Sequence, residues 1–202
     1  MITIIDYNAG NIISVQRALN HLGLDNIITG DPETIVNAER IIFPGVGNAA
    51  TAMEYLTQTG IGQALQQANK KGTPIMGICL GAQIIFAHSQ EGDTQCLSLI
   101  DGDVIKFDTE QKQFKVPHMG WNSLHITEPH FVLKEIKPND TFYFVHSYHI
   151  QTTPEFVNAT CDYICDFPAV VSRENVVATQ FHPEKSGEPG LSILRSFGAW
   201  EG

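Results

Sequence analysis

Gly77-Ile78-Cys79-Leu80-Gly81 sets a cysteine between two glycines, at the point where the apolar run Pro74 to Gly77 gives way to a helical pattern. Strand, sharp turn and helix in that order form a nucleophile elbow, which lifts one side chain above the carboxyl edge of a sheet. Such a turn forces an unfavourable backbone on the nucleophile and demands small neighbours, which Gly77 and Gly81 provide. The N-terminus of the following helix offers backbone N–H groups suited to an oxyanion beside Cys79. A buried cysteine in a glycine-rich turn would read the same way, so the pentapeptide needs a base to mean chemistry.

A cysteine nucleophile takes a histidine base, and the histidine takes an orienting carboxylate. Phe181-His182-Pro183-Glu184-Lys185-Ser186 begins where the apolar run Val176 to Thr179 stops. The carboxyl ends of strands are where active sites form in open α/β sheets. An extended backbone fixed by Pro183 is expected to point His182 and Glu184 the same way, His182 as base and acid and Glu184 as its orienter. His21, His88, His125 and His130 stand in no paired arrangement and read as surface or core residues. Cys161 and Cys165 have no second ligand pair nearby, and Cys96 has no flanking signal, so no metal site is expected.

These groups need a frame. Ile2–Ile5 reads as a strand, followed by the loop Asp6 to Gly10, with Asn11 as N-cap of a helix whose apolar face carries Ile12, Val15, Leu19 and Leu22. Ile27–Thr29 is a second strand, ended by a turn at Gly30-Asp31-Pro32. A third strand over Arg40–Phe43 closes on Pro44-Gly45-Val46-Gly47. Residues 48–70 read as helix broken near Gly60, and a helix over about 80–88 follows the elbow. That alternation predicts a parallel sheet with helices on both faces. From about 97 to 180 the pattern turns to strands, with pieces at Asp103–Phe107, Trp121–Ile126, Thr141–His146, Ala169–Ser172 and Val176–Gln180, several of them antiparallel. A last helix spans about 188–199. The expected fold is a single α/β domain over residues 1–202, an open and mostly parallel sheet with antiparallel strands added in the second half.

The chain has 202 residues, 43% of them hydrophobic and 17% charged, with a formal charge of −10. It is too apolar for disorder and too acidic for non-specific nucleic-acid or anionic-membrane binding. Its first residues lack a basic region and cleavage site, and no apolar stretch approaches a membrane span. The expectation is a cytoplasmic protein with reduced cysteines.

Together, Gly77-Ile78-Cys79-Leu80-Gly81-Ala82-Gln83 and Phe181-His182-Pro183-Glu184 resemble the class I, or triad-type, glutamine amidotransferases. Four further segments are similar to the glutaminase subunits of imidazole glycerol phosphate synthase, which serve histidine biosynthesis: Asp6-Tyr7-Asn8-Ala9-Gly10-Asn11, Pro44-Gly45-Val46-Gly47, Val116-Pro117-His118-Met119-Gly120-Trp121-Asn122 and Phe142 to Tyr148. The resemblance covers essentially the whole chain. It implies glutamine hydrolysis through a thioester on Cys79, with His182 and Glu184 completing a triad and no cofactor. It implies an oxyanion hole from Leu80 and the Val46-Gly47 loop, and contacts from Gln83, Ser147 and Tyr148 to the amino-acid end of glutamine. It further implies docking on a (β/α)8-barrel cyclase subunit as a heterodimer, with Asn11, Trp121, Tyr143 and Lys185 at or signalling across the interface. In this family the isolated glutaminase is nearly silent, for which a mis-set oxyanion loop at Val46 is one physical cause.

Asn8, Ala82 and His149 depart from the family pattern, and none is Cys, His or Glu of the triad. Two readings stand beside the first: a paralogous glutaminase feeding a sugar-modifying synthase, and an inactive amidotransferase-like regulatory module. A cysteine hydrolase of the same sheet type acting on another amide is a third.

Overall fold

The computed structural model describes residues 1–8, 10–108 and 114–202. Ala9, within the segment read as the first loop, lies outside the described residues, as do residues 109–113 of the strand-rich stretch.

The first half alternates as its periodicity requires. β1 (Ile2–Ile5), α1 (Ile12–His21), β2 (Asn26–Thr29), α2 (Pro32–Val36), β3 (Ile41–Gly45), α3 (Ala49–Thr59), α4 (Ile61–Lys70), β4 (Ile75–Cys79) and α5 (Leu80–Ile84) follow in turn. The second half is mostly strand: β5 (His88–Ser89), β6 (Thr94–Gln95), β7 (Asp103–Lys106), β8 (His118–Ser123), β9 (His125–Ile126), β10 (Thr141–His146), β11 (Tyr148–Gln151), β12 (Val157–Asp162), β13 (Asp166–Arg173) and β14 (Val176–Thr179), closed by α6 (Gly187–Ala199).

One eight-stranded sheet in the order β2-β1-β3-β4-β14-β13-β12-β9 organises the molecule. Its strands from β2 to β14 pair in parallel, and β13, β12 and β9 continue it antiparallel. Both faces are covered, which is why the central strands read as unbroken apolar runs. Ile5, Phe43 and Ile75 pack with Leu56, Leu65 and Ile84 on one face. Ile4, Ile42, Met76 and Ile78 pack with Val15, Leu19, Leu194 and Phe197 on the other. Two smaller sheets stand beside the carboxyl edge, β10 with β8 and the set β11-β7-β5-β6.

Several expectations change. Asp31 is not only a turn residue. Its carboxylate accepts from Thr34 N–H at 2.8 Å and caps α2, with Pro32 in the first helical turn. Asn11 sits at the N-cap position of α1 at φ 84, but its side chain makes no capping bond. α5 stops at Ile84 rather than 88, because the carbonyls of Ile84, Ile85 and Phe86 accept from Leu97, Leu99 and Ser98 in the returning chain. The strand read over Trp121–Ile126 is two strands, the first starting at His118.

Candidate active site

Register builds the site. β3 and β4 pair so that Gly45 lies beside Cys79, and β14 pairs with β4 so that Thr179 lies beside Ile78. Three adjacent strands therefore end together, and each is followed by one of the three segments singled out in the sequence.

At the end of β4, Cys79 takes φ 54 and ψ −108, a conformation a non-glycine residue holds only under tertiary constraint. The flanking glycines are required by close approach. A Cβ at Gly81 would overlap the Phe43 carbonyl oxygen, and one at Gly77 would come 2.9 Å from the Gly81 oxygen. Leu80 opens α5, so its N–H has no intrahelical acceptor. Gly47 holds φ 115, which leaves the Val46–Gly47 peptide an orientation that other residues resist.

Behind the cysteine, the His182 side chain is wholly buried and its Nδ1 lies 2.7 Å from Glu184 Oε1. The pairing was expected from an extended backbone, but Pro183–Lys185 is a 3-10 turn. The turn, not a strand, brings the two side chains together. His182 is anchored by its own N–H to the Tyr143 carbonyl at 3.0 Å and by its carbonyl to Ser186 Oγ at 2.6 Å. Burial alone would push the imidazole down, but Cys79 and Glu184 beside it together outweigh burial and carry it up to about 9. His182 Nε2 has no conventional hydrogen-bond partner among the described residues and is left to serve the cysteine side.

Cys79 opens on a cavity of about 290 Å³ whose walls include Val46, Gly47, Leu80, Gln83, Ser147 and Tyr148. All the residues named in the sequence for the oxyanion hole and for glutamine thus share one pocket with the cysteine. Glu91 also lines it, a residue the sequence pattern does not mark. Its carboxylate accepts from Ala49 N–H at 2.7 Å, at the N-terminus of α3, and no motif surrounds it.

The four residues assigned to an interface lie together on one side of the site. Trp121 is 58% exposed, not core, and meets Tyr143 edge-on across the β8–β10 pair at 5.9 Å. Lys185 Nζ lies 6.0 Å from the Tyr143 ring. Asn11 turns inward, its Nδ2 2.5 Å from Glu184 Oε1. Among the other histidines, His88 is paired after all, with Asp93 at 2.8 Å. Among the described residues no group of three His, Cys, Asp or Glu side chains is placed to hold a metal ion, and no helix is long and apolar enough to cross a membrane.

A cysteine elbow on an open α/β sheet, backed by a buried histidine–glutamate pair, defines a class of amide-hydrolysing proteins, and the model of the class-I glutamine amidotransferase family matches residues 3–199. The chain belongs to that family. It is 46% identical to the imidazole glycerol phosphate synthase subunit HisH of Nitratidesulfovibrio vulgaris strain Hildenborough, over 98% of this chain and 95% of that protein. It is 46% identical to the subunit of the same name from Methanosarcina acetivorans, over 97% and 96%, and 42% identical to that of Bacteroides thetaiotaomicron, over 97% of each. Among solved structures, a glutamine amidotransferase superposes with TM-score 0.75 at 19% identity, covering 98% of this chain and 100% of that one. The structure of PurLQS from Thermotoga maritima gives 0.74 at 19% identity, over 97% and 96%. The two structures share the fold.

Proposed function

We propose that this chain is the glutaminase subunit of an imidazole glycerol phosphate synthase, with Cys79, His182 and Glu184 as its catalytic triad. The observation that carries the site assignment is Cys79 at φ 54, opening on a pocket of about 290 Å³ with the His182–Glu184 pair buried behind it.

Cys79 Sγ attacks the side-chain amide carbon of glutamine, and its proton passes to His182 Nε2. The tetrahedral oxyanion takes hydrogen bonds from Leu80 N–H and from the Val46–Gly47 loop. His182 then gives its proton to the departing nitrogen, ammonia leaves, and a glutamyl thioester remains on Cys79. His182 Nε2 next deprotonates a water that attacks the thioester, releasing glutamate and restoring the thiol. Glu184 holds the imidazole tautomer that keeps Nε2 free for both steps. Removing one oxyanion donor costs about 2.7–4 kcal/mol in comparable sites. Gln83, Ser147 and Tyr148 hold the amino-acid end, and Glu91, the carboxylate in the pocket wall, suits its ammonium.

Ammonia released in water becomes ammonium and loses its nucleophilic lone pair, so a shielded acceptor site is needed. The acceptor is a (β/α)8-barrel cyclase subunit that makes imidazole glycerol phosphate and aminoimidazole carboxamide ribonucleotide. Support for a docking face comes from Met119 (63% exposed), Trp121, Tyr143 and Lys185, beside the site. The setting is the cytoplasm. The test is glutamate release from glutamine by the purified chain, alone and with the barrel subunit. Release stimulated by the partner and abolished in Cys79→Ala is expected, and full activity in that variant would overturn the mechanism.

A further inference from the structure

Gln83 is almost fully buried where it lines the pocket, and its Nε2 donates twice: to the Tyr148 carbonyl at 2.8 Å and to Gln180 Oε1 at 3.0 Å. A backbone carbonyl can only accept, so the nitrogen end of the Gln83 amide must be the end that faces Tyr148. The same nitrogen faces Gln180, which therefore presents its oxygen. With both Nε2 hydrogens committed, Gln83 has its Oε1 left to offer the pocket. An acceptor there matches an ammonium or N–H of a ligand. The flipped amide would offer NH₂ instead and match a carboxylate, so the orientation of this one amide decides which end of an amino acid the wall receives.

One hydrogen bond to Tyr148 leaves Gln83 free to turn about its last side-chain torsion, and the second bond removes that freedom. The Tyr148 carbonyl is itself held, accepting from His146 Nδ1–H at 2.8 Å. Gln180 supplies the second acceptor from the opposite side. It follows β14 directly, is completely buried, and is fixed through its N–H to the Ala169 carbonyl at 2.9 Å. Its own Nε2 is buried and without a partner among the described residues. A buried amide with an unmet donor is costly, and an apolar side chain of the same length would avoid that cost. The acceptor on Gln83 is what the amide provides in return.

We propose that Gln180 is a positioning residue of the glutamine pocket. Its Oε1 locks the Gln83 amide with the oxygen toward the substrate, so that Gln83 accepts from the amino-acid end of glutamine. The assignment rests on the glutaminase reading. Gln180 does not touch substrate, so its effect runs through Gln83 alone.

The test is steady-state glutamate release by the complex with the barrel subunit, with thermal melting of each variant alongside. Gln180→Met keeps the length and removes the acceptor, and it raises KM for glutamine about tenfold with kcat within about twofold, the size of one net hydrogen bond expressed in binding. Gln180→Glu restores an acceptor oxygen and brings KM back to within about threefold of the parent. In a Gln83→Met background, Gln180→Met adds no further rise in KM, because the residue through which it acts is gone. Gln180→Asn keeps an amide but withdraws it by one methylene, and reads the same loss if the methionine variant does not fold. An unchanged KM in Gln180→Met and Gln180→Asn, or an equal rise in KM with Gln83 already replaced, overturns the proposal. A parent complex that releases no glutamate overturns the glutaminase reading and this one with it, whereas an active parent with unaffected variants overturns this one only.

Discussion

Asn11 Nδ2 and Glu184 Oε1 are 2.5 Å apart, and that same oxygen lies 2.7 Å from His182 Nδ1. One carboxylate oxygen thus joins the entry of α1 to the turn that carries the histidine. The second oxygen, Oε2, is buried and has no partner among the described residues, so the orientation of Glu184 depends on its shared one. Asn11 therefore acts on the site itself. It holds the carboxylate that holds His182, at the entry to a helix whose first turn exposes Ile13.

Asn11→Gly tests this cleanly, because φ 84 suits glycine and the variant removes the amide without adding backbone strain. Loss of a hydrogen bond to a charged group is worth about 1.5–3 kcal/mol, so kcat falls at least about tenfold. KM for glutamine stays near the parent value, since Asn11 does not line the pocket. Steady-state kinetics of the complex separate the two constants, and an unchanged kcat would refute the positioning role.

The elbow stores strain that can be measured as stability. Cys79→Gly and Cys79→Ala should both be inactive, but only glycine is at ease at φ 54. The glycine variant should melt higher than the alanine variant by an amount equivalent to roughly 1–3 kcal/mol. Gly81→Ala should fold poorly or not at all, because its Cβ meets the Phe43 carbonyl, a backbone atom of a central strand. Equal melting temperatures for the two Cys79 variants would show that the turn is unstrained.

Much of this was legible in the chain because the parallel half is built from local patterns. Buried runs such as Ile2–Ile5 and Ile41–Phe43 announce strands covered on both faces, and Gly60 at φ 78 divides two helices where the glycine predicted a break. Where the structure departs from the local pattern, a distant segment decides. α5 ends early because residues 97–99 claim its carbonyls. β12 goes unread although Val157, Ala159 and Cys161 alternate with Asn158, Thr160 and Asp162 as strand residues do; the polar Asn158 and Thr160 suggest an open face, yet both are buried in a strand paired to β13 and β9. Asn11 looked like a cap by residue type, while its true partner stands more than 170 residues away. Glu91 and Gln180 carry no motif of their own. The short hairpin of β5 and β6 brings Glu91 into the pocket wall, and the continuation of β14 sets Gln180 behind Gln83.

Tyr7 is nearly fully buried, and its hydroxyl has no partner among the described residues. Burial, with Cys79 nearby, drives the phenol well above its ordinary range, so it stays neutral. An unpaired buried hydroxyl is a liability of about 1–3 kcal/mol, while the ring packs on Phe43 at 5.0 Å and fills space. Tyr7→Phe keeps the ring and should match or exceed the parent in thermal stability, with glutaminase activity unchanged. Thermal melting and a stimulated activity assay check both halves. A marked loss of activity would assign the hydroxyl a catalytic or loop-holding part beside Gly45.

The acid and alkaline limits of stability should be set by different histidines. His118 Nδ1 lies 3.1 Å from His146 Nε2, and His146 Nδ1–H donates to the Tyr148 carbonyl, so with both rings neutral His118 Nδ1–H donates to His146 Nε2. His118 stacks on Phe144 and Tyr163, and His146 packs against Phe107 and Phe167, with His149 and His182 the other titratable rings near it. Burial chiefly holds His118 down to about 4 and His146 down to about 3, from an ordinary 6.5. The unfolded chain takes up these protons near pH 6.5 and the folded chain only well below it. Their contribution to stability is therefore whole above about pH 6.5 and is lost as pH falls toward 4 and 3. His182, raised to about 9, runs the other way: its contribution is whole below about pH 6.5 and is lost as pH rises through 9. Melting temperature followed from about pH 4.5 to about pH 10 should fall at both ends. Replacing His118 and His146 together by Phe should flatten the acid limb and leave the alkaline limb in place. Cys79→Ala removes the largest influence raising His182 and should flatten the alkaline limb alone. An acid limb as steep in the double variant as in the parent would place the sensitivity elsewhere, in the carboxylates.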